Sequence, residues 1–194
     1  MSRLAMLVLA AGRARRFGAD KRVARLDDGR GLLEASLAAL EGVDAERFVA
    51  LRAGETLAGL APGSHGWRTL ALAESEQGMG ATLAAAVTRI SIASRASALL
   101  VQLGDMPWVA ARTLEALIDH IDERRIVRPL HHGRGGHPVL FGRRFWPALC
   151  SLEGDRGARP VLERAGEALI ELECLDPGVL ADVDRCEALH WPRG

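Results

Sequence analysis

Seven apolar residues in a row, Leu4 to Ala10 (LAMLVLA), stand near the start of the chain and give way at once to a loop rich in glycine and cations, AGRARRFGADKR. A strand with apolar side chains on both faces has to be covered on both, and that happens in parallel sheets flanked by helices. The rest of the chain follows the same plan. LLEASLAAL places Leu33, Leu37 and Leu40 on one helical face, GATLAAAVTRIS does so with Leu83, Val87 and Ile90, and RTLEALIDHIDE with Leu114, Leu117, Ile118 and Ile121. Short strand patterns lie between them at 47–53 and 68–73, and a second strongly apolar one at 97–103. Strands alternating with helices predict an α/β protein with a mainly parallel central sheet. After Arg124 the rhythm loosens. IVRPLHHGRGGHPVLFG reads as two strands joined by a glycine-rich turn, and WPALCSL, ARPVLERAG and ALIELECL as short helices and a strand. No repeat or long linker divides the 194 residues, so the expectation is one domain over 1–194.

Lys+Arg and Asp+Glu balance at 25 each, which argues against a protein that coats nucleic acid. The charge is local instead: Arg13, Arg15, Arg16, Lys21 and Arg22 fall within ten residues. Cys150, Cys174 and Cys186 form no C-x-x-C pair, so neither a disulfide framework nor a zinc site is expected, and a cytoplasmic setting is. The first apolar run is too short to span a membrane, and no membrane partner is expected.

Ligands of open parallel sheets collect at the carboxyl ends of the strands, and two loops at such ends carry chemistry. The opening loop is neither a Walker A loop nor a dinucleotide fingerprint. Gly12 lets the backbone close on a ligand, and Arg16 and Lys21 can neutralise phosphate oxygens. In VQLGDMP, Asp105 follows an apolar strand, where a carboxylate can hold Mg²⁺ or, alternatively, cap a helix beginning near Val109. Near the end, Asp182 and Asp184 are two residues apart; in a strand they would point the same way and could address one cation. His131, His132 and His137 gather around glycines in a segment suited to a polar wall for a second, anionic substrate, and EGDRGARPVL offers Arg156, Gly157 and Arg159 before a helix. There is no G-x-S-x-G elbow and no cysteine with an obvious base. Cations, glycine backbone and carboxylates suit phosphoryl or nucleotidyl transfer, in which catalysis is mostly positioning and charge neutralisation.

LVLAAGRARRFGADK resembles the L-A-A-G-x-S-x-R-[MF]-G-x-x-K signature of nucleotidyltransferases with a GT-A-like, Rossmann-related fold. GMGATLAAAV, LGDMP, GRGGHPVLF, GDRGAR and the closing DVDRCEAL follow in the order found in molybdenum-cofactor cytidylyltransferases. The resemblance covers nearly the whole chain and implies a three-layer sandwich. It implies a nucleotide-binding half at about 1–108 and an acceptor-binding half at about 109–194. The nucleotide site it implies comprises Leu9, Ala10, Ala11, Gly12, Arg13, Arg16, Lys21, Gly78, Met79, Gly80 and Asp105. Of these, Arg16, Lys21 and Asp105 take the catalytic roles. Mg²⁺ is the implied cofactor, held by Asp105 and, in the closing motif, Asp184, with Asp182 the other candidate. His137, Pro138, Asp155, Gly157 and Arg159 are implied to face a phosphorylated pterin acceptor. LAAG, instead of the LAGG of guanylyl-transferring relatives, points to CTP among the nucleoside triphosphates.

The reaction so implied transfers CMP from CTP to molybdopterin-type molybdenum cofactor and releases pyrophosphate. A monomer is expected, with a molybdoenzyme or its chaperone receiving the product. Two other readings stay open: nucleotidyl transfer to a sugar phosphate or another phosphorylated small molecule, and a catalytically weak module that binds a nucleotide or cofactor and delivers it to a partner enzyme.

Overall fold

The computed structural model describes residues 3–12 and 20–183. Its strands are β1 (Leu4–Leu9), β2 (Glu46–Arg52), β3 (Arg68–Leu72), β4 (Ala98–Leu103), β5 (Ile126–His131), β6 (Arg134–Gly135), β7 (Val139–Gly142) and β8 (Leu169–Glu173). Its helices are α1 (Leu32–Ala38), α2 (Leu57–Leu60), α3 (Met79–Ala93), α4 (Ala111–Ile118), α5 (Trp146–Cys150) and α6 (Arg159–Glu163). The strands form one sheet in the order β3-β2-β1-β4-β7-β5-β6, with β8 paired to β5. The pairs β1–β2, β1–β4, β2–β3 and β5–β8 are parallel, whereas β7 runs antiparallel to both β4 and β5. The glycine-rich hairpin supplies a third short strand, β6, where the sequence suggested two.

The all-apolar β1 is buried as its composition requires, and its two faces feed two cores. Leu4, Met6, Val8 and Ala10 pack with Leu33 and Leu37 of α1 and Leu114 and Leu117 of α4. Ala5 and Leu7 pack on the other side with Leu83, Val87 and Ile90 of α3 and Trp146 and Leu149 of α5. Period-2 alternation in the strand and 3.6-residue periodicity in the helices thus meet in three layers.

From β1 the chain winds outward through β2 to β3, then returns to place β4 on the other side of β1. This reversal opens a crevice beyond the carboxyl ends of β1 and β4, which end level with each other at Leu9 and Leu103. Helix α4 starts at Ala111, and its cap comes from far along the chain. Asp176, 4% exposed, accepts from Ala110 N (2.9 Å) and Thr113 Oγ1 (2.6 Å) through Oδ2, and from Gly178 N (3.0 Å) through Oδ1. Asp105 is therefore not the cap of that helix. The expected strand around Asp182 is also absent, since 181–183 has no regular structure. Instead Val183 N donates to Asp105 O at 3.0 Å, which holds this segment across the end of β4. No helix among the described residues is long and apolar enough to cross a membrane.

Candidate active site

The crevice is a cavity of about 650 Å³, walled by Leu9–Gly12 and Lys21 on one side and by Leu103, Gly104 and Asp105 on another. Gly104 N donates to Leu9 O at 2.9 Å, and a Cβ on Gly104 would lie 2.9 Å from that of Ala10, so only glycine brings the two strand ends this close. Among the described residues a Cβ on Gly12 would meet nothing within 4 Å, leaving the backbone there open to a ligand. Lys21 Nζ donates to Asp105 Oδ2 (2.5 Å) and to Val183 O (3.2 Å). The other carboxylate oxygen, Asp105 Oδ1, is buried with no hydrogen-bond partner among the described residues. An orphaned, buried, anionic oxygen is costly unless something completes it, and a hard divalent cation does so.

The opposite wall is built by two glycine segments in backbone contact. Gly78 has φ +111°, and a Cβ there would lie 2.3 Å from Asp155 Oδ1 and 2.6 Å from Gly154 O. Gly80 N donates to Gly154 O at 2.6 Å, and a Cβ on Gly80 would lie 2.6 Å from Glu153 O. GMG and GDRG, about seventy-five residues apart in sequence, are two sides of one contact, and it presents Gly78, Met79 and Asp155 to the cavity. Gly157, at φ +53°, packs against the Met79 sulfur.

The MobA-like NTP transferase domain matches residues 6–169. The chain belongs to that family. The fold of this MobA-like transferase is similar to the crystal structure of Rv0371c from Mycobacterium tuberculosis H37Rv, with a TM-score of 0.80 and 26% identity over 96% of this chain and 95% of that one. It is also similar to the manganese complex of Rv0371c (TM-score 0.76, 24% identity, 95% of each chain). A nucleotidyl transferase from Methanothermobacter, Mth528, has a TM-score of 0.78 at 23% identity over 95% of this chain and 93% of that one. No curated protein matches the sequence.

Of the residues singled out in the sequence, Leu9, Ala10, Ala11, Gly12, Lys21, Arg22, Gly78, Met79, Asp105 and Asp155 line the transferase cavity, and so does Asp182. Gly80 is buried behind this wall. Arg13, Arg16 and Asp184 lie outside the described residues. Arg159 is on the surface, with Nε bonded to Glu163 at 2.9 Å. Arg22, grouped by sequence with the cations of the loop, is buried. Its guanidinium serves Asp20, Glu55 and Ala10 O. Arg22 holds the Asp20 carboxyl below its ordinary pKa. Burial alone would raise Glu55, but Arg22 and Arg52 together outweigh it and lower that carboxyl too. Ser75, Gln77 and Thr82 also reach the cavity, and no motif marked them. Thr82 Oγ1 accounts for itself by donating to Gly78 O at 2.8 Å. Among the described residues, no group of three or more His, Cys, Asp or Glu assembles to hold a metal.

His137 and Pro138, joined by a cis peptide bond, are not among the cavity walls. His137 N donates to Val179 O at 2.8 Å. Burial pushes the imidazole down to a pKa of about 4, the Asp105 charge opposes the drop, and Arg128 adds to it. At neutral pH His137 is therefore an uncharged donor and acceptor, not a cation. Between its ordinary value of 6.5 and about 4, the unfolded chain takes up a proton that the folded one does not. His137 thus contributes stability that is present above pH 6.5 and declines as the pH falls towards 4. Urea unfolding of the parent and of His137→Gln at several pH values is expected to show a shallower decline for the variant in that window. Parallel curves would place the ring outside this coupling.

Proposed function

We propose that this transferase moves CMP from CTP to molybdopterin-type molybdenum cofactor and releases pyrophosphate. The supporting observation is the juxtaposition of Lys21 with Asp105 and its orphaned Oδ1, at the carboxyl ends of two parallel strands and in a cavity large enough for a nucleotide. Asp105, together with Asp182 or Asp184, would hold Mg²⁺. With so few protein ligands on offer, phosphate oxygens and water would complete the shell, as Mg²⁺ favours. Bound there, the metal would supply charge neutralisation to the reacting phosphates.

In this reading, Lys21 and Arg16 stabilise the charge that builds on pyrophosphate as the bond from the α-phosphorus breaks. The attacking oxygen belongs to a phosphate already ionised at neutral pH, so the chain has no proton to remove. Gly12 allows the backbone to approach the phosphates. Gly78, Met79 and Asp155 would face the base, ribose and acceptor. Asp155 accepts hydrogen bonds, which suits the N–H groups of a pterin. His137, Pro138, Gly157 and Arg159 stand off the cavity walls and would meet only a part of the acceptor that extends beyond the cavity.

The test is pyrophosphate release from CTP, GTP and ATP with Mg²⁺, using the molybdenum cofactor or a panel of sugar phosphates as acceptor. Release from CTP with the pterin acceptor is expected. Release only with sugar phosphates, or only from GTP or ATP, would leave nucleotidyl transfer standing and overturn the acceptor or the base. Nucleotide binding without release under any condition would favour the delivery module.

A further inference from the structure

Arg22 is 4% exposed, and each of its five N–H donors has an acceptor. Nε donates to Asp20 Oδ1 (2.8 Å), and Nη2 donates to Asp20 Oδ2 and Glu55 Oε1 (2.6 Å each). Nη1 donates to Glu55 Oε2 (2.7 Å) and to Ala10 O (2.9 Å). The two carboxylates are tied in turn to the last residue of β2. Arg52 N and Nε donate to Glu55 at 3.0 and 2.8 Å, and Arg52 Nη2 donates to Asp20 at 3.2 Å.

The three acceptors of Arg22 stand at meaningful places. Ala10 is where the chain leaves β1 for the basic loop, Asp20 directly precedes Lys21, and Glu55 follows β2. Lys21 lies between two residues held by this network and extends to Asp105. A buried ionic network is a weak source of stability, because the desolvation of its charges offsets most of their attraction. Its specific product is geometry. A planar guanidinium can bridge three acceptors at fixed angles, whereas an ammonium on a flexible stem cannot.

We infer that Arg22 is a positioning residue of the transferase, which by clamping Ala10, Asp20 and Glu55 together sets where the Lys21 ammonium stands relative to Asp105. The inference rests on the proposed role of Lys21 at the triphosphate. It gives Arg22 a part in nucleotide affinity although it has no donor left to offer a phosphate.

The test is a double-mutant cycle read as the Kd of CTP with Mg²⁺, measured by calorimetry at low ionic strength. Arg22→Lys keeps the charge and loses the fork. It is expected to weaken binding about 10-fold or more, the scale of a charge-assisted hydrogen bond. In a Lys21→Met background the same change is expected to cost less than about 3-fold, because the group it positions is gone. Thermal unfolding of all four proteins accompanies the cycle. If Arg22→Lys does not fold, Glu55→Gln takes its place, removing one arm of the clamp and keeping the guanidinium. Equal losses in both backgrounds, or a lower melting temperature with unchanged Kd, would make Arg22 structural only and overturn the inference alone. Failure of the parent to bind CTP would overturn the functional reading and the inference with it.

Discussion

Asp105→Asn is expected to lower turnover about 10²–10³-fold while leaving the fold in place, the scale on which one preorganised electrostatic group acts in a transfer of this kind. Asparagine matches aspartate in shape. The bonds that hold the segment run through the backbone, Gly104 N to Leu9 O and Val183 N to Asp105 O, and survive the change. What disappears is the negative charge, which draws the Lys21 ammonium on one oxygen and leaves the other open to a cation. Asp105→Ala is the harsher variant, because it also removes the acceptor at 2.5 Å from Lys21. Pyrophosphate release under saturating Mg²⁺, with thermal unfolding run in parallel, checks both. Turnover within a few-fold of the parent would remove Asp105 from the chemistry.

Gly78→Ala carries the second large effect, and here stability and function move together. Alanine would restrict the unfolded chain, a gain of about 0.4–1 kcal/mol. Against it stand a backbone at φ +111°, a strain of about 1–3 kcal/mol, and a Cβ placed 2.6 Å from Gly154 O. The Asp155 carboxylate, at 2.3 Å, can swing aside, but the carbonyl cannot move without its loop. A net loss of roughly 2–4 kcal/mol is expected, since overpacking adds a cost of similar size to the strain. Displacing 153–155 also moves Asp155 at the cavity wall, so nucleotide affinity falls with stability. Gly80→Ala makes a useful companion. Its helical position would gain about 1 kcal/mol from alanine, yet contact with Glu153 O at 2.6 Å is expected to reverse that sign. Urea unfolding measures both. A Gly78→Ala protein as stable as the parent would mean that the two segments do not meet at this distance.

The layering was legible because β1 and the helices α1, α3 and α4 bury their apolar faces in simple periods, and the sheet has no other way to cover LAMLVLA. Asp105 could be singled out because it stands just beyond an apolar strand, and Lys21 because it closes the cationic loop that follows another. Other features depend on contacts between distant segments and leave no local signal. Nothing near Arg22 in sequence says that Glu55 will meet it, so burial turned an apparent member of the cationic loop into an internal strut. Nothing near Ala110 says that Asp176 will cap α4, and that is why Asp105 had two readings until the distant carboxylate was placed. The mutual contact of Gly78, Gly80 and Gly154 is equally invisible, although each glycine could be noticed alone.

The bond from Val183 to the backbone of Asp105 has a consequence for how the protein is made. By Glu173 every described strand of the sheet has been synthesised, and the nascent chain holds nearly all of the described hydrophobic core. The cavity still lacks Asp182 and the carbonyl of Val183 that receives Lys21. A chain stopped shortly after β8 would therefore bury most of its apolar surface and yet lack one wall of the site. This wall of the cavity is completed only when residues 181–183 return to the end of β4, after the scaffold is already standing.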